Sequence, residues 1–374
     1  MEAVFFSFLF LSVYSYAIYP LVVYIISFFF NNSWGKRDIA PRITIVISVY
    51  NEDRVIAEKI KNALSLKYPD GLLEIIVVSD GSTDRTNEIV TRFNDSRLIL
   101  KAYPVRSGKT ACLNRVVPEA KGDIILFTDA NSIFPPDILP KLVRNFFDEN
   151  VGLLTGWTKY IRAGKHEETT GIYSKLEMLT KYWESLISSC VGADGAIFAI
   201  RKTLYRSLDD QDINDFVIPL HVVSQGKRAV LDPGINCFEA SSQEEGNEFR
   251  RQARITNRTL RAIFRNPGFL NPFSYGFFSF FLLSHKLLRF LVPFFIMGAF
   301  LANFFLLGVS PVYIGLILMQ VLFLSLGLAS IITGKIEGRL TNICKFLLIT
   351  LSAQLTGWIR MLRGISDTMW TPQR

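Results

Sequence analysis

The sequence predicts an α/β domain built on a mostly parallel sheet, combined with apolar helices at both ends of the chain. Between residues 42 and 132, short β-rich runs alternate with helical patterns, the order expected of a doubly wound sheet. Hydrophobic residues make up 49% of the 374 residues. They are concentrated in long runs near both termini, which is typical of membrane proteins.

Four short apolar runs are predicted as buried strands, because helices on both faces of a parallel sheet leave little room for polar alternation. These runs are residues 42–50, 73–79, 97–102 and 124–128. Helical patterns separate them and end at Leu66, Phe93 and Glu119. Pro69-Asp70-Gly71 is typical turn chemistry between the first helix and the second strand.

Polar residues stand directly after three of these runs. They are Asn51 and Glu52, Asp80 and Asp84, and Asp129 and Asn131. Open α/β sheets bind ligands outside the carboxyl ends of their strands, and carboxylates accept hydrogen bonds from ribose hydroxyls and base N–H groups. The pattern therefore predicts a nucleotide crevice. Gly108-Lys109 lacks the preceding glycine of a P-loop and no GxGxxG follows the first strand, which argues against an ATPase or a dinucleotide enzyme.

Asp129 is open to two interpretations. It follows the strand-like run Ile124–Thr128, and with Asn131 it offers oxygen ligands for a divalent cation. An Asp at this position can equally cap the turn before Pro135-Pro136. The acidic residues at the other strand ends favour the cation site.

Charge and cysteine usage exclude some function classes. The formal net charge is +8, but no Lys/Arg block of the kind that binds nucleic acid is present. The basic residues lie largely beside apolar segments, which fits attraction to membrane lipids of an anionic cytoplasmic leaflet. The four cysteines have no metal-binding spacing, and three histidines argue against a His-based zinc site.

The apolar runs predict three regions: an N-terminal transmembrane anchor (1–35), a cytosolic α/β domain (36–265), and an interfacial helix with further membrane helices (266–374). Val4–Phe30 has no charged residue over 27 positions, which is too long for a signal peptide and long enough to cross a bilayer. Lys36 and Arg37 predict that the chain after the anchor is cytoplasmic.

Two further spans are predicted near the C-terminal end, at 287–307 and 312–333. Residues 267–281 are aromatic and are expected at the membrane interface. Residues 343–362 contain charged side chains, so this segment could cross the membrane, re-enter it or lie in its plane.

Several segments occur together, in order, in one known family. They are ISVYNE (47–52), VVSDGSTD (77–84), GKTACLN (108–114), LFTDAN (126–131), GADGAIFAIRK (192–202), DINDF (212–216) and EFRRQARI (248–255). Through them, residues 42–265 resemble a family 2 glycosyltransferase of the GT-A type. SHKLLR (284–289) and the tail residues Trp370, Pro372 and Arg374 extend the likeness to membrane-embedded bacterial polysaccharide and glycolipid synthases.

The resemblance implies a set of residues that bind a UDP-sugar donor: Ser48, Tyr50, Glu52, Asp80 and Lys109. It also implies that Asp129 and Asn131 hold a Mg²⁺ or Mn²⁺ ion on the donor diphosphate, which would offset negative charge as UDP leaves. The family usually has a second Asp where this chain has Asn131. The neutral amide removes one charge, so weaker metal binding is expected.

On the acceptor side, the resemblance implies that Asp215 is the general base, on the face opposite the leaving group. Asp212 is expected instead to cap a helix over 216–223. Asp194 lies among small residues that permit close backbone approach, and the resemblance assigns it to the acceptor and diphosphate side. A simple tight turn is the alternative for this segment.

Gln252 and Arg254 resemble the family's Gln-x-x-Arg-Trp element, which contacts donor and acceptor. The spacing is one residue shorter here, and Ile255 stands where the family has Trp. In processive synthases that Trp stacks on the acceptor sugar, so its replacement argues against long-chain synthesis. The arginines around this element also predict an amphipathic helix on the membrane surface.

The expected function is inverting transfer of a sugar from a UDP-sugar to a cell-envelope polysaccharide or lipid acceptor. The protein would be multi-pass in the inner or plasma membrane, with its catalytic domain in the cytoplasm. One alternative is a single-sugar transferase acting on a polyprenyl phosphate or another lipid. An alternative of another class is a non-catalytic membrane scaffold or transport subunit that binds nucleotide, which Asn131, Asn214 and Ile255 keep open.

Overall fold

The structure is a computed structural model that describes residues 1–161, 168, 170–240, 245–333 and 338–366. The chain divides into two compact units. One contains Met1–Val22, Glu244–Leu270 and Ser279–Ser366, and the other contains Val23–Gln243, Asn271–Phe278 and Asp367–Arg374. The tail residues Trp370, Pro372 and Arg374 lie outside the described residues.

A seven-stranded sheet with the order β3-β2-β1-β4-β6-β5-β7 forms the centre of the second unit. The strands are β1 (Ile43–Val49), β2 (Leu73–Asp80), β3 (Leu98–Tyr103), β4 (Ile124–Asp129), β5 (Val151–Ile161), β6 (Phe198–Arg201) and β7 (Arg228–Ala240). β6 is antiparallel to both of its neighbours, and the remaining pairs are parallel. The predicted strands are present as β1–β4, with ends that differ by one residue.

The helices of six or more residues are numbered in chain order. They are α1 (Glu2–Phe29), α2 (Ile56–Leu64), α3 (Thr86–Thr91), α4 (Lys109–Glu119), α5 (Ile138–Val143), α6 (Ile172–Ile187), α7 (Asn214–Ser224), α8 (Glu245–Arg265), α9 (Phe277–Phe304), α10 (Pro311–Thr333) and α11 (Arg339–Leu362). Every residue of β1 is buried, because helices cover both faces of the sheet. On one face, Ile45 and Ile47 belong to the same core as Ile56 and Ile60 of α2.

The predicted cap at Asp212 is wrong. α7 begins at Asn214 and its N-cap residue is Ile213, with no side-chain cap hydrogen bond. Asp212 lies one residue too early to reach the helix, and its Oδ2 instead accepts a hydrogen bond from the amide of Asp209 at 2.9 Å. The carboxylate therefore closes the turn before the helix.

Three helices among the described residues are long and apolar enough to cross a membrane: α1, α9 and α10. α9 begins ten residues before the span predicted at 287–307, so the end of the predicted interfacial segment is part of it. α11 packs against α8 in the first unit. The contact is close at Gly357, where a Cβ atom would lie 2.6 Å from Cβ of Thr256.

Candidate active site

The predicted donor residues meet at the carboxyl ends of neighbouring strands. Ser48 of β1 lies opposite Asp129 of β4 in the parallel register. Asp80 is the last residue of β2, which pairs with the other edge of β1. Because parallel strands end on the same side of a sheet, residues that are far apart in the chain, such as Ser48 and Asp129, reach one crevice.

The loops after β1 and β2 are tied to each other. Asn51 has a left-handed φ of 52°, and its Oδ1 accepts a hydrogen bond from the amide of Thr83 at 2.8 Å. The amide of the buried Glu52 donates to Oγ1 of Thr86 at 2.8 Å. Burial alone would raise the pKa of Asp84, but hydrogen bonds from Thr86 lower it below its usual range. These hydrogen bonds fix the loops after β1 and β2 relative to each other.

Each oxygen of the Asp80 carboxylate accepts a hydrogen bond from the loop before α4. It accepts hydrogen bonds from the amides of Ser107 at 2.6 Å and Gly108 at 2.8 Å. Gly81 next to it has a φ of +68°, and a Cβ there would lie 2.8 Å from the amide nitrogen of Arg106. The Asp-Gly pair therefore brings the loop over the end of β2.

The Tyr50 ring and the unpartnered Ser48 hydroxyl lie close to this loop in the chain fold and could contact a ligand. The Arg106 guanidinium lies 3.7 Å from the centroid of the Tyr50 ring. Ser48 is 7% exposed and its Oγ has no hydrogen-bond partner among the described residues. A buried hydroxyl without a partner costs about 1–3 kcal/mol. A bound ligand that hydrogen-bonds Ser48 would remove this penalty.

Asp129 is the last residue of β4, and its carboxylate does not cap the following turn. Its Oδ1 accepts a hydrogen bond from Nζ of Lys109, the first residue of α4, at 2.7 Å. The turn is closed by the main chain, where the amide of Ser132 donates to the Asp129 carbonyl at 3.4 Å. Asn131 is partly exposed on this turn.

The donor set fits a cation only in part. No group of three His, Cys, Asp or Glu side chains that could hold a metal occurs among the described residues. Asp129 and Asn131 supply oxygen atoms of the type that Mg²⁺ and Mn²⁺ prefer. Mg²⁺ commonly completes its coordination with phosphate oxygens and water when a protein offers one or two ligands. The pair therefore fits a metal that arrives with a diphosphate.

A lysine that sequence reasoning missed supports the Asp129 turn from behind. Lys59 of α2 is 0% exposed, and its Nζ donates to Oγ1 of Thr128 at 2.9 Å and to the Ser132 carbonyl at 2.5 Å. Burial lowers the pKa of Lys59 to about 7. Because Lys59 holds one residue on each side of Asp129–Asn131, it fixes the segment that carries both predicted metal ligands.

Glu239 of β7 is the acidic member of the same buried group. Its Oε1 accepts a hydrogen bond from Oγ of Ser132 at 2.5 Å. Burial, together with the negative charge of Asp129, raises the pKa of Glu239 to about 7. A signal for this group exists in the sequence only at Lys59, which falls on the apolar stripe of α2 beside Ile56 and Ile60.

Asp215, the predicted base, lies in the first turn of α7 and is partly exposed. The amide of Ala193 donates to its carbonyl at 2.7 Å. A Cβ added at Gly195 would lie 2.9 Å from Oδ2 of Asp215. The small residues of this segment therefore let its backbone pack directly against the Asp215 carboxylate.

Asp194 braces that same segment against β5. Its carboxylate accepts hydrogen bonds from the amide of Thr158 at 2.8 Å and from the amide of Ala196 at 3.1 Å. Its own amide donates to Oγ1 of Thr155 at 2.8 Å. Burial raises the pKa of Asp194. In this structure the carboxylate holds the loop that contacts Asp215.

α4 connects the strand ends to the Asp215 segment. Oγ1 of Thr110 donates to the carbonyl of Asp212 at 3.0 Å. One turn later, Nδ2 of Asn114 donates to the carbonyl of Leu208 at 2.8 Å. These two residues of the GKTACLN segment lie on one helical face, because they are four positions apart. They fix the chain that leads into α7.

Gln252 and Arg254 belong to α8, in the first unit. Nε2 of Gln252 donates to Oε1 of Glu248, one turn earlier, at 2.7 Å. The same Glu248 pairs with Arg251 at 2.8 Å. Within its unit, the predicted element is thus part of a helical network of charged side chains.

Comparisons with known proteins agree with this architecture. The family model described as "Glycosyl transferase family 2" matches residues 44–207. The chain is 31% identical over 183 residues to a protein described as "Probable glycosyltransferase YdaM" of Bacillus subtilis (strain 168), covering 46% of this chain and 43% of that protein. It is 29% identical over 161 residues to a beta-monoglucosyldiacylglycerol synthase of Nostoc sp., covering 42% and 34%. The matched segments span less than half of either relative.

A solved structure extends the likeness in fold to nearly the whole chain. The mannosyltransferase PcManGT from Pyrobaculum calidifontis, in complex with GDP-Man and Mn²⁺, superposes with a TM-score of 0.73 over 96% of this chain and 98% of that chain, at 20% identity. The predicted fold class, a GT-A sheet domain with apolar membrane-type helices, is confirmed. Residues 44–207 match the glycosyltransferase family 2 model and form a domain of that type.

Proposed function

We propose that this protein transfers a sugar, with inversion, from a nucleoside-diphosphate sugar to a lipid or polysaccharide acceptor. One observation carries the proposal. The first turn of α4 is bonded on one side to Asp129 through Lys109, and on the other to the main chain three residues before Asp215. The donor-side carboxylate Asp129 and the segment that carries the candidate base Asp215 are thereby both bonded to the first turn of α4.

The donor half comprises Ser48, Tyr50, Glu52, Asp80, Lys109, Asp129 and Asn131. In this proposal the base and ribose occupy the space between Tyr50 and the unpartnered Ser48 hydroxyl. The diphosphate lies at the start of α4, where the helix dipole and Lys109 both favour negative charge. UDP is the nucleotide implied by the family resemblance, and GDP is the nucleotide bound to the solved mannosyltransferase.

Asp129 and Asn131 would hold Mg²⁺ or Mn²⁺ together with donor oxygens, and the ion would stabilise the charge that develops on the leaving diphosphate. Lys109 then exchanges its partner. Without a donor, its ammonium neutralises Asp129, and with a donor it contacts the diphosphate. In this proposal a cation lies beside Asp129 in both states.

The acceptor half comprises Asp194, Gly195 and Asp215. Asp215 removes the proton from the acceptor hydroxyl, whose oxygen attacks the anomeric carbon opposite the leaving nucleotide. A single displacement of this kind inverts the anomeric configuration. The three apolar helices and the lipid named in one relative's description support a membrane-resident enzyme. Lys36 and Arg37, which follow the first of these helices, favour a catalytic domain that faces the cytoplasm.

The test is nucleotide release and product mass spectrometry with purified full-length protein in detergent. Individual UDP- and GDP-sugars are supplied with Mn²⁺, with the cell-envelope lipid fraction as acceptor. Wild type should release nucleotide and add sugar to the acceptor, whereas Asp129→Ala and Asp215→Asn should not. Asp137→Asn, an exposed carboxylate paired with Lys141, is the matched control. Nucleotide-sugar binding without any transfer would support the non-catalytic scaffold instead.

A further inference from the structure

α6 buries polar side chains and exposes apolar ones, which is the reverse of a surface helix that faces water. The side chains that it buries are largely polar: Thr180, Lys181, Glu184 and Ser185 are each less than 10% exposed. Four of its apolar side chains form an outward stripe, where Ile172 is 83% exposed and Leu179 is 37% exposed, whereas Tyr182 and Leu186 pack against the core of the sheet domain. Leu176 and Trp183 continue this stripe at helical spacing and are partly exposed.

The buried polar face is satisfied by the protein. Oε2 of Glu184 accepts a hydrogen bond from the amide of Val191 at 2.9 Å. Oγ of Ser185 accepts one from the amide of Leu231 in β7 at 2.8 Å. The orientation of α6 is therefore fixed by specific bonds, and its apolar stripe is held outward by them. A contiguous exposed apolar stripe of this kind is typical of a surface that contacts a membrane or another protein.

The apolar stripe continues into the last turns of α1. Within this unit, the Tyr24 ring of α1 lies 4.8 Å from the Trp183 ring, and Phe28 packs edge-on against Tyr24, also at 4.8 Å. Nearby, the amide of Asn32 donates to the carbonyl of Leu186 at the end of α6. Tyr and Trp concentrate where a membrane helix leaves the hydrocarbon layer. The Tyr24–Trp183 pair therefore marks the level of the membrane surface.

We infer that α6 lies in the interfacial layer of the membrane, with the stripe Ile172, Leu176, Leu179 and Trp183 against lipid. A second copy of the chain is a less suitable cover, because the stripe is continuous with the end of a predicted membrane span. The occupant of this face is the headgroup and upper acyl region of a bilayer.

This position has a consequence for the acceptor, which rests on the proposed function. Glu184 holds the amide of Val191, and two residues later the amide of Ala193 holds the carbonyl of Asp215. The membrane-seated helix is thus bonded to the loop that positions the base. An acceptor that reaches Asp215 along α6 is a membrane amphiphile, whose reacting hydroxyl or phosphate group lies at the headgroup level.

The depth of α6 can be measured by spin labelling of full-length protein in vesicles of phosphatidylcholine and phosphatidylglycerol. Labels are placed at Ile172→Cys and Leu179→Cys, and at Arg92→Cys as a solvent-exposed control. The native cysteines are buried, which favours selective labelling. Both α6 labels should be accessible to oxygen rather than to a water-soluble nickel complex, at a depth of about 5–10 Å below the phosphates.

Nickel accessibility equal to that of the Arg92 label would overturn the inference. Dipolar broadening between labels on separate copies would also overturn it, because a second copy would then cover the stripe. Because the two labelled positions lie about two turns apart, a folding defect in one variant leaves the other to decide.

The acceptor consequence is tested with vesicles that contain dioleoylglycerol and undecaprenyl phosphate. Wild type should place labelled sugar in the chloroform phase. The double variant Leu176→Gln/Leu179→Gln should lose about ten-fold or more of that product, with donor hydrolysis by water unchanged. Phe147→Gln, which alters another partly exposed apolar residue, should behave as wild type.

Label found only in water-soluble product, or full transfer by the double variant, would refute the acceptor assignment. If wild type neither hydrolyses nor transfers any sugar nucleotide, the proposed function fails. The depth measurement still decides the position of α6 in that case.

Discussion

On the donor side, carboxylates accept hydrogen bonds from main-chain amides and from a lysine, and on the acceptor side a glycine backbone packs closely against one carboxylate. Asp80 accepts two backbone amides, and Asp129 accepts the Lys109 ammonium. The Asp215 carboxylate has the backbone of Gly195 packed against it. Changes on the donor side should therefore alter donor and metal affinity, and changes on the acceptor side should alter turnover.

The largest effect is expected at the acceptor carboxylate. Asp215→Asn keeps the size of the side chain but removes the base, so turnover should fall by about 10²–10⁴-fold with donor affinity unchanged. The measurement is nucleotide release under saturating donor, beside titration calorimetry of donor binding. Asp210→Asn, an exposed neighbour, serves as the control. Loss of donor binding in Asp215→Asn would contradict the assignment of Asp215 to the acceptor side alone.

The donor carboxylate should behave differently. Asp129→Ala is expected to reduce turnover by about 10²–10³-fold, because charge on the departing diphosphate loses its stabilisation. Donor affinity should fall with it, and chelation of divalent metal should reproduce both effects in wild type. Calorimetry with and without Mn²⁺ is the measurement. If Asp129→Ala binds the donor as tightly as wild type in Mn²⁺, the donor assignment is wrong.

Gly195→Ala sharpens the comparison without removing a functional group. The new Cβ would lie 2.9 Å from Oδ2 of Asp215, so the carboxylate must move. Turnover should decrease by about ten-fold or more, since a displacement of about 1 Å can cost 10²-fold. Donor affinity should stay the same. Gly171→Ala, where a Cβ meets nothing within 4 Å, should leave steady-state kinetics unaltered.

The next effect concerns the residue that supports Asp129 from behind, and it should appear in donor binding. Lys59→Met removes both hydrogen bonds to the Asp129 turn and should weaken Mn²⁺-dependent donor binding by about 10–100-fold. Lys61→Met on the exposed side of α2 is the control. Equal Mn²⁺ dependence in wild type and Lys59→Met would show that Lys59 does not position the turn.

Lys59 also predicts a pH dependence of stability. Its pKa is about 7 in the folded protein and 10.5 in the unfolded chain, so between these values the unfolded state binds one more proton. Stability therefore rises with pH from 7 towards 10.5. Lys59→Met should flatten that rise in denaturant titrations. An unchanged slope would contradict the burial of the ammonium.

The donor side was largely predictable from sequence, and the acceptor side was not. Asp80 and Asp129 end parallel strands whose apolar runs are local in the sequence, so their common edge follows from topology. The contact of Gly195 with Asp215 joins segments 20 residues apart through packing that no periodicity reports. Glu239 lies near Lys59 because β7 runs past the Asp129 turn, which no local pattern reports. Asp212 was misassigned because local sequence specifies helix starts poorly.

The most direct test of the account is the anomeric configuration of the product. Proton NMR would follow one accepted sugar nucleotide during transfer by wild type. Asp215 as the only base in a single displacement predicts inversion, so an α-linked donor gives a β-linked product. Retention of configuration would contradict the assigned base and the arrangement of the two halves around α4.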